Sequence, residues 1–452
     1  MIRLFQASIV FAALIALSTA AQAQPVAETQ SESGEEKLNV LFIMADDLGK
    51  EWISCYGAEG IETPAIDSLA QTGMRFDNFY VMPQCTPTRL SLLTCTYPFR
   101  HGWVNHWDVP RWGGGCSFDP EMNRSFPAEI RETGIATAAA GKWQIDDFRQ
   151  EPEAMNQAGF DEYCMWTGYE AGNPPSGERY ADPYVYSAGE SGTRAGEFGP
   201  DVYSDFLVDF IGRNKDKQMF LYFPMALPHG PLVPTPDEPD AEDKMDKHRA
   251  MVRYVDKLVG KLVGALEENG IRERTVVIFT TDNGTGRGLT GTIQGRPVRG
   301  GKAQTTENGI CVPFVVSCPG VVPEGVESKA LADITDIGPT CLDLFGIAQE
   351  REDQFSGNSF ADVLRGNSVA SERSWIFAMG GGNNARLTDA GVENQFWYRD
   401  RVIRNERFKL YITADGQPEK LIDVESDPFE KTDLLQADDE QCRAAVTFFM
   451  SV

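Results

Sequence analysis

The 452 residues exceed a typical single domain, and 42% hydrophobic with 10% aromatic side chains supplies a large packed core, which excludes a chain disordered throughout. A formal net charge of −26 excludes generic binding to nucleic acid or anionic lipid, since polyanions are repelled at long range, and obliges any anionic substrate to find a local basic pocket. The nine cysteines are an odd number, and their spacing fits neither a disulfide framework nor a zinc site.

Arg3, an apolar run from Ile9 to Leu17 and the small residues ending at Ala21-Gln22-Ala23 have the form of a secretory signal peptide, residues 1–23. Nothing later approaches about 18 uninterrupted apolar residues, so the expectation is an exported protein, periplasmic or secreted, with no stable membrane insertion. Residues 24–37 carry Glu28, Glu32, Glu35 and Glu36 without apolar periodicity and read as a flexible acidic leader.

Leu38–Ala45, Met219–Phe223 and Thr275–Phe279 are near-continuous apolar runs, the pattern of strands buried on both faces of a parallel sheet. Between the last two, Met251, Val252, Val255, Leu258, Val259, Leu262, Val263 and Leu266 keep helical spacing, and Gly270 supplies a stop. Beyond Gly346 the pattern changes. Val402–Ile412 and Lys420–Val424 read as short strands around Asp415-Gly416. The expected fold is α/β, a large mixed but mostly parallel sheet between helices over residues 38–370, followed by a smaller α+β subdomain with a short antiparallel sheet over 371–452.

Polar residues gather where the apolar runs stop: Asp46 and Asp47 after the first, His229 after the second, Asp282 and Asn283 after the third. In open α/β sheets the site lies at such carboxyl ends. Four oxygen-bearing side chains from two strand ends suit a hard divalent cation, although either pair alone reads equally as a turn or helix cap. Gln84-Cys85-Thr86-Pro87-Thr88-Arg89 reads as a loop entering a helix, with Leu90, Leu92 and Leu93 available to the core. Cys85 then sits at the positive helix end with Arg89 one turn on, a setting for an anion, or else is a buried thiol beside a structural arginine. Cys311, Cys318 and Cys341 read as ordinary buried thiols, and His101, His106 and His248 match no motif.

Cys85-Thr86-Pro87-Thr88-Arg89 resembles the C-x-P-x-R signature of type I sulfatases, members of the alkaline phosphatase-like superfamily. The resemblance continues, in the family's order, through Asp46-Asp47, Gly141-Lys142-Trp143, Pro228-His229-Gly230-Pro231, Thr281-Asp282-Asn283-Gly284 and Gly301-Lys302, and takes in Asp333–Gly346 and Leu421–Leu435. It implies that Cys85 is oxidised to formylglycine (3-oxoalanine) by a formylglycine-generating enzyme. It further implies a calcium ion held by Asp46, Asp47, Asp282, Asn283 and the modified Cys85, with Arg89, Lys142, His229 and Lys302 around the sulfate. In the implied chemistry the hydrated aldehyde attacks sulfur with help from a carboxylate such as Asp282, and His229, assisted by Lys302, protonates the departing alcohol.

Three positions depart from the family pattern. Gln144 stands where many members carry a histidine, and an amide cannot take a proton, though it can hydrogen-bond the modified residue or the substrate. Thr88 replaces a commoner Ser or Ala, and Cys95 stands where Gly usually closes the signature. The export signal, with Trp397, Tyr398, Arg399 and Arg401, favours a sulfated carbohydrate as substrate, since aromatics stack on sugars and arginines pair with sulfates, although the same residues also suit subdomain packing. A phosphonate or phosphodiester hydrolase of the same superfamily, or a noncatalytic sulfated-glycan binding protein, are the alternatives.

Overall fold

Strand Asn39–Ala45 runs through the middle of the molecule with all its residues buried, and its side chains alternate between two hydrophobic cores. Val40, Phe42 and Met44 enter one core; Leu41, Ile43 and Ala45 enter the other. An apolar run without alternation is what a strand covered on both faces requires. In this computed structural model the described residues are 37–104, 119–146, 148, 151–166, 179–349, 354–380, 386–388, 391–393 and 400–452. The signal-peptide and leader segments up to residue 36, His106, and Trp397, Tyr398 and Arg399 lie outside them. Lys37–Val452 form one compact unit.

The main sheet has ten strands in the order Val326–Ser328, Met74–Phe76, Phe314–Ser317, Thr275–Thr281, Asn39–Ala45, Met219–Pro224, Ala136–Lys142, Glu162–Trp166, Tyr184–Ser187, Glu190–Thr193. The five from Thr275–Thr281 to Glu162–Trp166 are mutually parallel, in register Val40 with Phe220 and Val276. Phe314–Ser317, Tyr184–Ser187 and Glu190–Thr193 pair antiparallel with their inner neighbours.

Helix Lys244–Glu268 covers one face with the expected apolar stripe, and it begins where the Asp243 carboxylate accepts the Met245 and Asp246 N–H groups. Gly270, at φ +67°, follows its end. Midway along it, the Asp256 carboxylate accepts the Ala65 and Ile66 N–H groups and so caps a second helix, Pro64–Gln71. Among the described residues no helix is long and apolar enough to cross a membrane.

The C-terminal region contains a four-stranded antiparallel sheet of Ile376–Met379, Arg401–Arg404, Phe408–Ile412 and Pro418–Asp423. The run from Val402 to Ile412 is therefore two strands, because the Asn405 side chain accepts the Arg407 and Phe408 N–H groups and turns the backbone. This sheet shares a third apolar cluster with Tyr80, Met82, Tyr97 and Ile310. Cys318 and Cys341 are buried as expected, whereas Cys311 is half-buried with its sulfur 3.0 Å from Lys50 Nζ.

Candidate active site

Parallel strands end on the same edge of their sheet, so four separate stretches of sequence deliver polar groups to one place. Asp46-Asp47 and Asp282-Asn283 directly follow their strands, Lys142 closes a third, and His229 lies in the loop beyond Pro224. Backbone bonds lock these ends together: Asp46 N–H donates to Leu227 O at 2.8 Å, Asp282 N–H to Ala45 O at 3.0 Å and Leu48 N–H to Asn283 O at 3.2 Å. Asp47 adopts φ +63°, a strained conformation for a residue with a Cβ, of the kind that surrounding structure maintains at functional sites.

Cys85 opens helix Cys85–Thr94, every residue of which is buried. The Thr88 hydroxyl donates to Met82 O and Gln84 O, which ties the helix start to the incoming loop and accounts for a threonine at that position. Cys95 takes the left-handed C-cap at φ +57°, a conformation in which glycine is unstrained. Ala303 N–H donates to Pro83 O at 2.7 Å and brings the Lys302 loop against the Cys85 loop.

A net of opposite charges closes around these ends. Arg89 Nη2 lies 2.7 Å from Asp282 Oδ2 and 3.5 Å from Asp46 Oδ2, and Arg89 Nη1 donates to Lys142 O at 3.1 Å. Lys142 Nζ pairs with Asp46 Oδ2. Lys302 Nζ lies 2.6 Å from Asp47 Oδ1, and His229 Nε2 3.7 Å from Asp47 Oδ2. Burial pushes against ionisation of Asp46 and Asp47, but Lys142, His229, Arg89 and Lys302 together hold Asp46 below the usual carboxylate range, and Lys302 with His229 holds Asp47 down. Asp282 goes the other way, pushed up to about 7 by burial and by the Asp46 charge. Burial lowers the His229 imidazole to about 4. The Cys85 sulfur lies within electrostatic reach of Arg89 and Lys302.

The donor set fits a hard cation. Asp46 Oδ1 and Asn283 Oδ1 are buried with no hydrogen-bond partner, a costly state that a cation removes. Asn283 Nδ2 meanwhile donates to Asp47 Oδ1 at 2.7 Å, which turns its carbonyl oxygen the other way. Asp46, Asp47 and His229 bring potential ligand atoms within 4.8 Å of one another. Asp282 has Oδ2 on Arg89 and Oδ1 3.2 Å from Asp47 N, and the elevated affinity for a proton at about 7 is what a nearby cation would reverse.

Gln144 follows Lys142 and Trp143 at φ +58°, is buried, and leaves Oε1 without a partner. Gly141, at φ +126°, precedes Lys142 because a Cβ there would sit 2.0 Å from Pro224 O. Two participants escaped sequence reasoning. Tyr180 Oη donates to Ala226 O at 2.7 Å and to His229 O at 2.5 Å, and Arg179 Nη1 reaches His229 Nδ1 at 3.1 Å. Neither belongs to a motif, and both come from a loop more than forty positions before the histidine, so only their spatial neighbourhood identifies them. Gly230 O also lies 2.6 Å from Nδ1. The two contacts exclude each other as hydrogen bonds: the carbonyl needs a proton on Nδ1, whereas a guanidinium can only donate to a bare Nδ1 and leaves the proton on Nε2.

The family model described as sulfatase matches residues 38–347, more than half of the chain. The chain belongs to the sulfatase family. It is accordingly a sulfuric ester hydrolase of the alkaline phosphatase-like superfamily. It is 28% identical over 382 residues to an N-acetylgalactosamine-6-sulfatase of Canis lupus familiaris, covering 79% of this chain and 72% of that one. Arylsulfatase J of Mus musculus is 25% identical over 459 residues, covering 89% and 73%. Among solved structures, Ps i-CgsB superposes with a TM-score of 0.76 at 26% identity over 92% of both chains, and the same protein in complex with k-i-k-neocarrahexaose gives 0.75 at 25%.

Proposed function

We propose that this sulfatase hydrolyses sulfate esters carried by a sulfated carbohydrate, using Cys85 after its oxidation to formylglycine and a calcium ion at the strand ends. The observation that carries the reading is the pair of buried, unpartnered oxygens, Asp46 Oδ1 and Asn283 Oδ1, beside a ring of cations around Cys85. The carbohydrate class rests on the relatives, one of which is named for N-acetylgalactosamine 6-sulfate and another of which was solved with a neocarrahexaose.

Asp46, Asp47, Asp282 and Asn283 would hold the calcium with the modified Cys85. Calcium, when bound, supplies positive charge that stabilises negative charge building on the sulfuryl oxygens. Formylglycine, when formed, supplies a hydrated aldehyde oxygen as nucleophile and a second hydroxyl that a plain thiol lacks. Arg89, Lys142 and Lys302 orient the sulfate and are fixed before it arrives, since each is already held by a carboxylate or carbonyl. Asp282, held at Oδ2 by Arg89, is the carboxylate that takes the nucleophile's proton. His229, assisted by Lys302 and protonated on both ring nitrogens with its Nδ1–H on Gly230 O, delivers the Nε2 proton to the departing alcohol oxygen and is left as a neutral imidazole. Gln144 offers hydrogen bonds without exchanging a proton, so water or a differently placed residue takes over from the usual histidine as proton acceptor in sulfate release.

Export through residues 1–23 and maturation by a formylglycine-generating enzyme are parts of the same proposal. So is the division into a catalytic domain over 38–370 and a C-terminal subdomain over 371–452. Co-expression with a formylglycine-generating enzyme, mass measurement of the tryptic peptide containing Cys85, and sulfate release with and without a calcium chelator test the reading. Conversion of the thiol with chelator-sensitive release supports it. An unmodified Cys85 under conditions that convert a control sulfatase, with binding of sulfated glycan but no release, would replace it by the glycan-binding alternative.

A further inference from the structure

Arg179 stands beside the site without a partner of opposite charge among the described residues. Its guanidinium carbon lies 4.4 Å from the centre of the Trp166 ring, its Nη1 lies 3.1 Å from His229 Nδ1, and its Nε is buried with no acceptor. Among the described residues no carboxylate pairs with it. Every other cation of the site, Arg89, Lys142 and Lys302, has an aspartate within ion-pair distance.

The position of Arg179 is built from three directions. Tyr180 Oη is tied to Ala226 O and His229 O, Gly199 N–H donates to Tyr180 O at 2.6 Å, and a Cβ on Gly199 would lie 2.1 Å from Arg179 O. The glycine therefore permits a close approach that a larger residue would forbid, and the backbone of Arg179 is fixed against the histidine loop. A guanidinium lying on an indole keeps its face covered and its N–H donors at the edge, the disposition that recognises planar or tetrahedral oxyanions. The chain's overall charge of −26 makes a half-buried cation with no carboxylate partner among the described residues more notable at this place, since carboxylates are plentiful elsewhere.

We propose that Arg179, held by Trp166, is a specificity-determining residue that binds a second anionic substituent of the substrate, a further sulfate or a carboxylate, next to the ester being cleaved. The proposal rests on the sulfatase reading for the identity of the first anion, and its test separates the two.

The contact with His229 means that Arg179→Ala will lower turnover of any ester, so the informative quantity is a ratio. kcat/KM is measured for wild type, Arg179→Ala and Arg179→Lys on a monosulfated sugar and on matched sugars bearing one additional sulfate or one carboxylate. Effects transmitted through the histidine cancel between substrates. The expected result is a preference of the wild type for a doubly anionic sugar that falls about tenfold or more in Arg179→Ala, the loss of one charge-assisted hydrogen-bonding pair, with partial recovery in Arg179→Lys. Whichever anion loses the preference is the one recognised. Equal losses on singly and doubly anionic substrates would overturn the proposal and leave Arg179 a positioning residue for His229. If the wild type releases no sulfate at all, the sulfatase reading fails, and the same ratio is then read from calorimetric binding of the same sugars to the Cys85→Ser protein with and without Arg179→Ala. A ratio unchanged by the substitution in that measurement overturns the inference independently.

Discussion

Arg89 and Asp282 face each other across 2.7 Å with 1% and 0% of their side chains exposed, and they join the Cys85 helix to the end of strand Thr275–Thr281. A pair so far from water is stable only because each charge compensates the other. Replacing Arg89 with methionine leaves Asp282 and Asp46 buried beside one fewer cation. The expected cost is about 3 to 5 kcal/mol of folding stability, together with loss of sulfate release. Urea denaturation with and without calcium checks this, and calcium is expected to return part of the loss.

Calcium itself should stabilise the native chain. At a free concentration 100 times its dissociation constant it contributes about 2.7 kcal/mol, because only the folded chain assembles Asp46, Asp47, Asp282 and Asn283. Thermal unfolding should therefore rise on calcium addition and fall with chelator, and Asn283→Ala should blunt both shifts.

The His229 side chain is expected to matter in proportion to the basicity of the leaving oxygen. His229→Ala should slow hydrolysis of a sugar sulfate by about 10²- to 10⁴-fold, the range of general acid catalysis, and slow an aryl sulfate with an acidic phenol much less. Parallel assays of the two ester types separate proton donation from simple loss of binding.

Acid should destabilise the fold through two other histidines. Burial lowers His101 to about 3 and His248 to about 4 from 6.5. Trp103 N–H donates to His101 Nδ1, so His101 is neutral and gives its Nε2 proton to Ser91 Oγ, while His248 packs edge-on to Trp52. With depressed folded values, the unfolded chain binds more protons below 6.5, and the stability these residues contribute is present above about 6.5 and lost as pH falls toward 4 and 3. Asp256 and Asp336, raised to about 6 by burial, act in the opposite sense between about 4 and 6, since there the folded chain holds the extra proton. The clean measurement is a comparison: melting temperature against pH should fall less steeply below 6.5 in His248→Phe than in wild type.

Gly141→Ala tests the backbone that carries Lys142. The added Cβ meets Pro224 O at 2.0 Å at a φ of +126°, so the parallel contact between the strands of Lys142 and Pro224 must open. Overpacking and backbone strain together should cost about 2 to 4 kcal/mol and displace Lys142 from Asp46. Unfolding by denaturant and sulfate release on the same sample should both report it.

Sequence by itself determined the three central strands, the long covering helix, the Cys85 signature and the aspartates at strand ends, because each is a local pattern: an apolar run, a helical period, or a motif with fixed spacing. It also placed Cys85 at a helix start, since the Pro87 and leucine positions allow little else. Tertiary structure alone decided how the ionisable groups share their charge. Asp46, Asp47 and Asp282 are the same residue type at matching strand ends, yet two are held down by their cations and one is raised to about 7, because burial and the neighbouring Asp46 charge outweigh Arg89 and Lys142 at Asp282, whereas the cations prevail at Asp46 and Asp47. The split of Val402–Ile412 into two strands depended on the Asn405 side chain, a local bond without a periodic signature. Arg179 and Tyr180 were invisible for a different reason. They reach His229 from a separate loop, and contacts between distant segments are set by how the chain packs, which no spacing along it records.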